Sequence, residues 1–291
     1  MSADAEPFAF LNGEYLALAH ARVSPLDRGF LFGDGAYEVI PVYSGRPFRL
    51  DEHLARLLST LEAIRIPNPH TRADWKAIVA ELVARHRWDD QAIYLQVTRG
   101  VEARRNHAFP GPEVRPTVFG YSEPLLPPDD SLRARGVAAA SAADIRWLRC
   151  DLKSISLLAN CLLRQHAVDQ GCAETVLFRD GFLTEGAVSS IFVCKNGVLL
   201  APPRSHLMLP GITYDVVLEI ARARGLPFQV REVLETEVRN ADELWLTSSG
   251  REVLAITSLD GRPVGSGRPG PMVAQMHAWY QDFKHKVMRD G

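Results

Sequence analysis

The chain has 291 residues, 46% hydrophobic and 23% charged, with a formal net charge of −2. That composition belongs to a soluble globular protein long enough for two ordinary domains, and the near-neutral charge gives no ground for a nucleic-acid or anionic-membrane partner. No stretch approaches the roughly 20 apolar residues that span a bilayer, and MSADAEPF carries acids where a secretion signal is basic and then apolar, so a cytoplasmic protein is expected.

The first predicted element is a hairpin, with FAFL and EYLAL flanking Asn12-Gly13, which supplies the positive φ angles of a tight turn. AYEVIPVY and RPFRL make a second hairpin across Ser44-Gly45. From Asp51, the spacing of Leu54, Leu57, Leu58, Leu61 and Ile64 predicts an amphipathic helix that Pro67 stops. Trp75, Ile78, Val79, Leu82 and Val83 mark another, opened by a Thr71/Asp74 capping pattern. QAIYLQVTR and PTVFGYS read as strands.

Glu123 to Asp130 (EPLLPPDD) carries three prolines and no periodicity, which predicts a linker at 124–130 between domains 1–123 and 131–291. GVAAASAADIRW is strand-like, and Ser154 to Gln170 reads as a helix ended by Gly171. AETVLFRD and AVSSIFVC read as strands with Asp180-Gly181 between, followed by an Asn196-Gly197 turn and a helix from Tyr214 to Arg224. ELWLTSS and VLAITSLDGRPV add strands, and Pro271 to Lys286 closes the chain as a helix. Strands and helices alternate with tight hairpins in both halves, so both domains are expected to be mixed α/β (α+β) and partly antiparallel.

Lysine usage is the sharpest chemical signal: five lysines against 28 arginines. Lys153 stands among Leu152, Ile155, Leu157 and Leu158, where a primary amine could form an imine with an aldehyde, chemistry a guanidinium does not do usefully. The plain alternative is a stem packed on the core with its head in solvent. Gly211, Ile212 and Thr213 precede a helix, where free N–H groups and the helix dipole suit a phosphate, or where Thr213 simply caps. Thr247-Ser248-Ser249 ends a strand, where α/β-type folds place ligands. Arg56 faces inward or into water, and spacing does not choose.

Glu185, beside Gly186, reads as a turn acid unless a ligand brings a basic ring nitrogen to it. Arg105 and His107 lie on a loop and suit a carboxylate, or are ordinary surface charge. Tyr37 follows a glycine-rich GDG turn, and GFLFGDGA lacks the lysine and Ser/Thr of a nucleotide-binding loop. Cys150, Cys161, Cys172 and Cys194 lack the close pairing of a zinc site, and no metal is expected. An imine-forming amine, a phosphate cradle, an acid for a ring nitrogen and a carboxylate grip are together what pyridoxal 5′-phosphate and an amino acid require.

On DRGFLFGDGAYEV, HLARL, YLQVTRG, R-x-H-x-F-P, DIRWLRCDLKS, GCAETVLF, TEG, LPGIT and DELWLTSS, the chain resembles the fold type IV aminotransferases along nearly its whole length. The R-x-H-x-F-P loop makes it most similar to the D-amino-acid (D-alanine) transaminases rather than to branched-chain transaminases or aminodeoxychorismate lyases; a branched-chain L-amino-acid transaminase, an (R)-amine transaminase or an aminodeoxychorismate lyase-like enzyme is the alternative reading within the family. The resemblance implies a two-domain enzyme with its active site between the domains. Lys153 would hold pyridoxal phosphate, and Glu185 would pair with the ring nitrogen. Arg56, the backbone of Ile212 and Thr213, and Ser249 would hold the phosphate. Ser248, Leu209 and Glu174 would lie near the cofactor. Tyr37, Arg105 and His107 would bind the substrate carboxylate, the loop reaching over from the partner of a homodimer. The loop after Gly100 is one residue longer than the family pattern, so Arg104 is an alternative to Arg105. After TEG, Ala187-Val188-Ser189-Ser190 replaces the family's run of serines and an asparagine. A binding protein that kept the fold without catalysis is the reading from another class.

Overall fold

The computed structural model describes residues 7–290; residues 1–6, on which the reading of the N-terminus rests, and residue 291 lie outside that range. The chain divides into two units. One takes the chain through Leu126 together with Leu152–Leu157, and the other takes Pro127–Asp151 and the chain from Leu158 onward. Among the described residues no helix is long and apolar enough to cross a membrane.

In the first unit, β1 (Phe8–Leu11) and β2 (Glu14–Ala17) turn at Asn12-Gly13, whose φ angles of 50° and 99° are those such a turn demands. After α1 (Arg28–Phe32) come β3 (Gly35–Tyr43), β4 (Arg46–Pro47), α2 (Leu50–Ala63), α3 (Arg72–Ala84), β5 (Gln91–Thr98) and β6 (Thr117–Pro124). The sheet runs β2-β1-β6-β5-β3-β4, antiparallel throughout. Leu54, Leu57 and Leu61 of α2 and Trp75, Val79 and Leu82 of α3 bury against Ile40, Ile93, Leu95 and Val97. Each such side chain contributes about 2 kcal/mol of burial. Thr71 and Asp74 form the expected capping box. Strand alternation also turns Ala36, Glu38 and Ile40 of β3 to the buried side, so a carboxylate sits in an apolar row.

The second unit holds α4 (Asp130–Arg135), β7 (Val137–Ala143), α5 (Leu158–Asp169), β8 (Glu174–Arg179), β9 (Phe182–Gly186), β10 (Ser190–Lys195) and β11 (Val198–Ala201). Then follow α6 (Ile212–Ala223), β12 (Phe228–Val230), α7 (Glu235–Arg239), β13 (Glu243–Ser248), β14 (Glu252–Leu259), β15 (Arg262–Pro263) and α8 (Pro271–Phe283). Its sheet runs β12-β11-β10-β13-β14-β7-β8-β9, with β15 on β14. The β11–β12, β14–β7 and β7–β8 pairs are parallel. Val176, Ile191, Val193, Leu244, Leu246 and Ile256 form its core.

Four expectations are corrected. The helix expected from Ser154 begins at Leu158, because residues 154–156 are already committed to the edge of β3: Ser154 bridges Ala36, Ile155 N donates to Gly35 O, and the Ser156 hydroxyl donates to Gly33 O. Glu185 is not a turn residue; it lies inside β9 and is buried, because the hairpin with β8 turns earlier, at Asp180-Gly181. The return strand after Ser44-Gly45 is only Arg46–Pro47: Phe48 N still donates to Pro41 O, but Arg49 turns left-handed at a φ of 49° and α2 starts at Leu50. The closing α-helix stops at Phe283, and Lys284–Arg289 continues as a π-helical turn.

Candidate active site

In the first unit the lysine segment is pinned by its backbone. Lys153 O accepts from Tyr37 N at 2.9 Å, and Lys153 N donates to Thr60 Oγ1 at 3.3 Å. Gly35 permits this approach: a Cβ there would stand 2.6 Å from Val97 O and 2.9 Å from Ile155 Cδ1. The lysine stem is therefore half-buried, and Nζ lies 4.2 Å from the centre of the Tyr37 ring, an attractive position for a cation. Tyr37 is itself stacked on Tyr94.

Arg56 faces inward. Its Nε and Nη2 donate to the two oxygens of Glu38 at 2.7 and 2.9 Å, and Glu38 is fully buried. His53, one turn earlier on α2, meets Glu38 Oε2 through Nδ1 at 2.6 Å. Burial alone would raise the Glu38 pKa, but the charge of Arg56 and the bonds from His53 and Arg56 outweigh it and bring it down to about 2. Burial pushes His53 the other way, below the usual imidazole range, despite Glu38. The histidine is thus neutral, its Nδ1–H donating to a carboxylate that can only accept. The contact is a hydrogen bond rather than an ion pair, and it leaves the buried Nε2 without a partner among the described residues.

The R-x-H loop also belongs to this unit. Arg104, Arg105 and His107 are exposed. Arg105 lies over the Phe32 ring at 4.7 Å, and the His107 ring is 5.3 Å from the same ring. Among the described residues Arg104 makes no ion pair or ring contact.

In the second unit, Glu185 Oε1 takes hydrogen bonds from Arg146 Nη1 and from Leu209 N, the latter at 3.2 Å. Arg146 is shared: Nε and Nη2 bind both oxygens of buried Asp144, at 2.9 and 2.8 Å, and Nη2 also reaches Leu207 O. Burial raises the Glu185 pKa to about 7, and half of a shared guanidinium does not undo it; the nearby charge of Asp144 adds to the rise. Burial also opposes the charge on Arg146, yet its two carboxylates hold that pKa raised. Both bonds to Glu185 fall on Oε1, so Oε2 is uncommitted among the described residues. A buried acid with an idle oxygen and a raised pKa calls for a second N–H⁺, which a protonated pyridine nitrogen supplies.

The amino end of α6 is likewise prepared. Gly211 is its N-cap and provides no side-chain bond to the first-turn N–H groups of Ile212 and Thr213. A Cβ on Gly211 would meet Ser190 Oγ at 3.1 Å and Tyr214 Cβ at 3.3 Å, so the cradle is narrow. Ser190 on β10 pairs with Thr247 on β13, and the buried Thr247 Oγ1 has no hydrogen-bond partner among the described residues. An orphaned hydroxyl of this kind costs about 1–3 kcal/mol unless a ligand meets it. These groups fit a phosphate. Ser248 Oγ is taken by the turn, accepting from Arg251 N at 3.2 Å, while Ser249 is half-buried in that turn. Glu174 is fully buried and accepts from Ser189 Oγ at 2.7 Å and from Arg251. Val188 is half exposed.

Residues 35–259 match the family Amino-transferase class IV. The chain belongs to the class IV aminotransferases. It is 40% identical over 271 residues to a D-alanine aminotransferase of Bacillus licheniformis, covering 93% of this chain and 95% of that one. It is 38% identical over 274 residues to the D-alanine aminotransferase of Staphylococcus aureus strain MW2, covering 94% and 96%. Its fold is also that of the branched-chain amino acid aminotransferase from Escherichia coli, with a TM-score of 0.86 at 22% identity, covering 98% of this chain and 95% of that one. A second branched-chain amino acid aminotransferase, solved with pyridoxamine 5′-phosphate, shares the fold at a TM-score of 0.89 and 24% identity, covering 96% and 94%.

For this aminotransferase, the sequence left Glu38, His53, Asp144 and Arg146 without a role, and showed Thr247 only within a polar cluster and Ser190 only within the run after TEG. Glu38 was detectable: β3 alternation sets it in the row of Ala36 and Ile40, and a buried carboxylate requires a cation. Arg146 and Asp144 sit in the DIRW motif without a role, because nothing local shows that they meet Glu185, 39 residues away from Arg146.

Proposed function

We propose that the protein is a pyridoxal-phosphate D-amino-acid transaminase, moving the amino group of D-alanine or a similar D-amino acid to 2-oxoglutarate to give a 2-oxo acid and D-glutamate. One observation carries this reading: near-full-length identity of 40% to a D-alanine aminotransferase, in a chain that keeps the R-x-H loop on an aromatic support. When bound, pyridoxal phosphate supplies an aldehyde to take the amino group and an electron-drawing ring.

The chain's own groups do the rest. Lys153 Nζ would hold the cofactor, and its amine would take the proton from the substrate Cα. Glu185 keeps the ring nitrogen protonated. Arg56, Ile212, Thr213 and Ser249 hold the phosphate, with Thr247 and Ser190 added to that set. Leu209, Ser248 and Glu174 flank the cofactor. Tyr37, Arg105 and His107 fix the substrate carboxylate, and with it fixed only one enantiomer presents its Cα–H to Lys153. The protein acts in the cytoplasm as a homodimer, the R-x-H loop of one protomer serving its partner; exposed Phe109, within that loop, supports a covered surface there.

The test is turnover of D-alanine against L-leucine and (R)-1-phenylethylamine, with 2-oxoglutarate as acceptor. Activity on D-alanine with formation of D-glutamate is expected. Activity on L-leucine with none on D-alanine overturns the proposal.

A further inference from the structure

The DRGFLFGDG stretch contains a guanidinium that the site as described does not use. Arg28, on α1, is 3% exposed. Its Nε donates to Asp34 Oδ2 at 2.9 Å, and its Nη1 donates to Glu102 Oε2 at 3.1 Å and to Asn106 O at 2.6 Å. Weaker bonds reach Ala108 O at 3.2 Å and His107 O at 3.4 Å. Three consecutive carbonyls of an exposed loop thus turn toward one buried cation. Asp34 is backed in turn by Arg99, which binds both its oxygens at 2.8 and 2.9 Å and lies 3.6 Å from the centre of the Phe109 ring at the far end of the loop.

Charged surface loops ordinarily sample many shapes. This one is drawn in at both ends by two arginines joined through a single carboxylate. The Phe32 ring, on the same helix as Arg28, carries the Arg28 guanidinium at 4.9 Å as well as Arg105 and His107. We infer that Arg28 is a positioning residue for the substrate-carboxylate grip: by holding the carbonyls of residues 106–108, it fixes where the Arg105 and His107 side chains lie over Phe32. The inference rests on the reading of that loop given under Proposed function. Lysine cannot replace Arg28, because a single ammonium lacks the planar fork needed to span Asp34, Glu102 and the loop carbonyls at once.

The experiment uses Arg28→Lys as cofactor-loaded enzyme, with Arg105→Ala as reference. In Arg28→Lys, KM for D-alanine and the inhibition constant of propanoate, a bare carboxylate, both rise about tenfold, while kcat stays within about twofold. Affinity for pyridoxal phosphate, titrated by absorbance without substrate, is unchanged. A purely structural arginine would instead lower thermal stability or kcat and leave propanoate inhibition alone. If Arg28→Lys does not fold, Glu102→Gln is read instead, with a rise in both constants of about two- to threefold. Propanoate inhibition weakened in Arg105→Ala but unchanged in Arg28→Lys, or in Glu102→Gln when that variant is the one read, overturns the inference alone. Propanoate inhibition untouched in Arg105→Ala overturns it too, since the side chain that Arg28 is inferred to position is then not part of the grip. Wild-type enzyme inactive on D-alanine refutes the parent reading, and propanoate binding followed by absorbance still decides the role of Arg28.

Discussion

Replacing Glu38 with glutamine tests the buried anchor on which Arg56 depends. Glu38 is fully buried, takes both oxygens' worth of bonds from Arg56 and one from His53, and has its pKa brought down from 4.5 to about 2. A drop of that size corresponds to about 3 kcal/mol of folding stability. Breaking a buried ion pair by removing one partner gives a similar figure, about 3–5 kcal/mol, and the Arg56 side chain is slightly exposed, which favours the low end. The sign follows from the lowered pKa: the contribution is complete above the unfolded value near 4.5 and is lost as pH falls toward 2. Urea unfolding should therefore show Glu38→Gln about 3 kcal/mol less stable at pH 7, by a shift in midpoint at constant slope. The gap should narrow steadily once the pH is taken below about 4.5. Cofactor affinity should fall with it, because an unpinned Arg56 no longer presents a fixed fork. A gap smaller than about 0.5 kcal/mol at pH 7, or one that does not change with pH, refutes the reasoning.

Two further substitutions probe the second unit. Glu185→Gln should cut turnover on D-alanine by about 10²–10³, since no anion then holds the ring nitrogen's proton. Without cofactor the sign reverses: a folded pKa raised to about 7 penalises the native state as pH climbs from about 4.5 through 7, so at pH 8 the variant should be at least as stable as the parent. Marked destabilisation at pH 8 would show that the Arg146 pairing, not burial, governs this acid. Thr247→Val replaces an orphaned hydroxyl with an isostere, so cofactor-free stability should hold or rise slightly while affinity for pyridoxal phosphate, measured by absorbance titration, falls about tenfold. Unaltered affinity would remove Thr247 from the phosphate set.

The hairpins, α2 and α3 of the first unit and the helix after Gly211 were legible because each rests on local signals: Asn-Gly and Ser-Gly turns, leucine spacing, a capping box and a glycine before a helix. Ser154–Leu157 and Glu185 were misplaced for the opposite reason. Apolar spacing around Lys153 is equally that of a helix, and only the backbone partners Gly33, Gly35 and Ala36, more than a hundred residues earlier, hold the segment extended. FLTEG is short and ends in glycine, so its strand character comes from pairing with β8. Residue types named the chemistry, whereas the support beneath it (Glu38 under Arg56, Asp144 and Arg146 behind Glu185, Arg28 behind the loop) depends on long-range packing that spacing does not record.

The central claim is tested most directly by reducing the cofactor-loaded enzyme with borohydride and mapping the peptides by mass spectrometry. A phosphopyridoxyl mass on the peptide containing Lys153, fixed to that side chain and absent from Lys153→Ala, is the predicted result. A label on Lys76, Lys195, Lys284 or Lys286 instead, or no label on any lysine, contradicts the account.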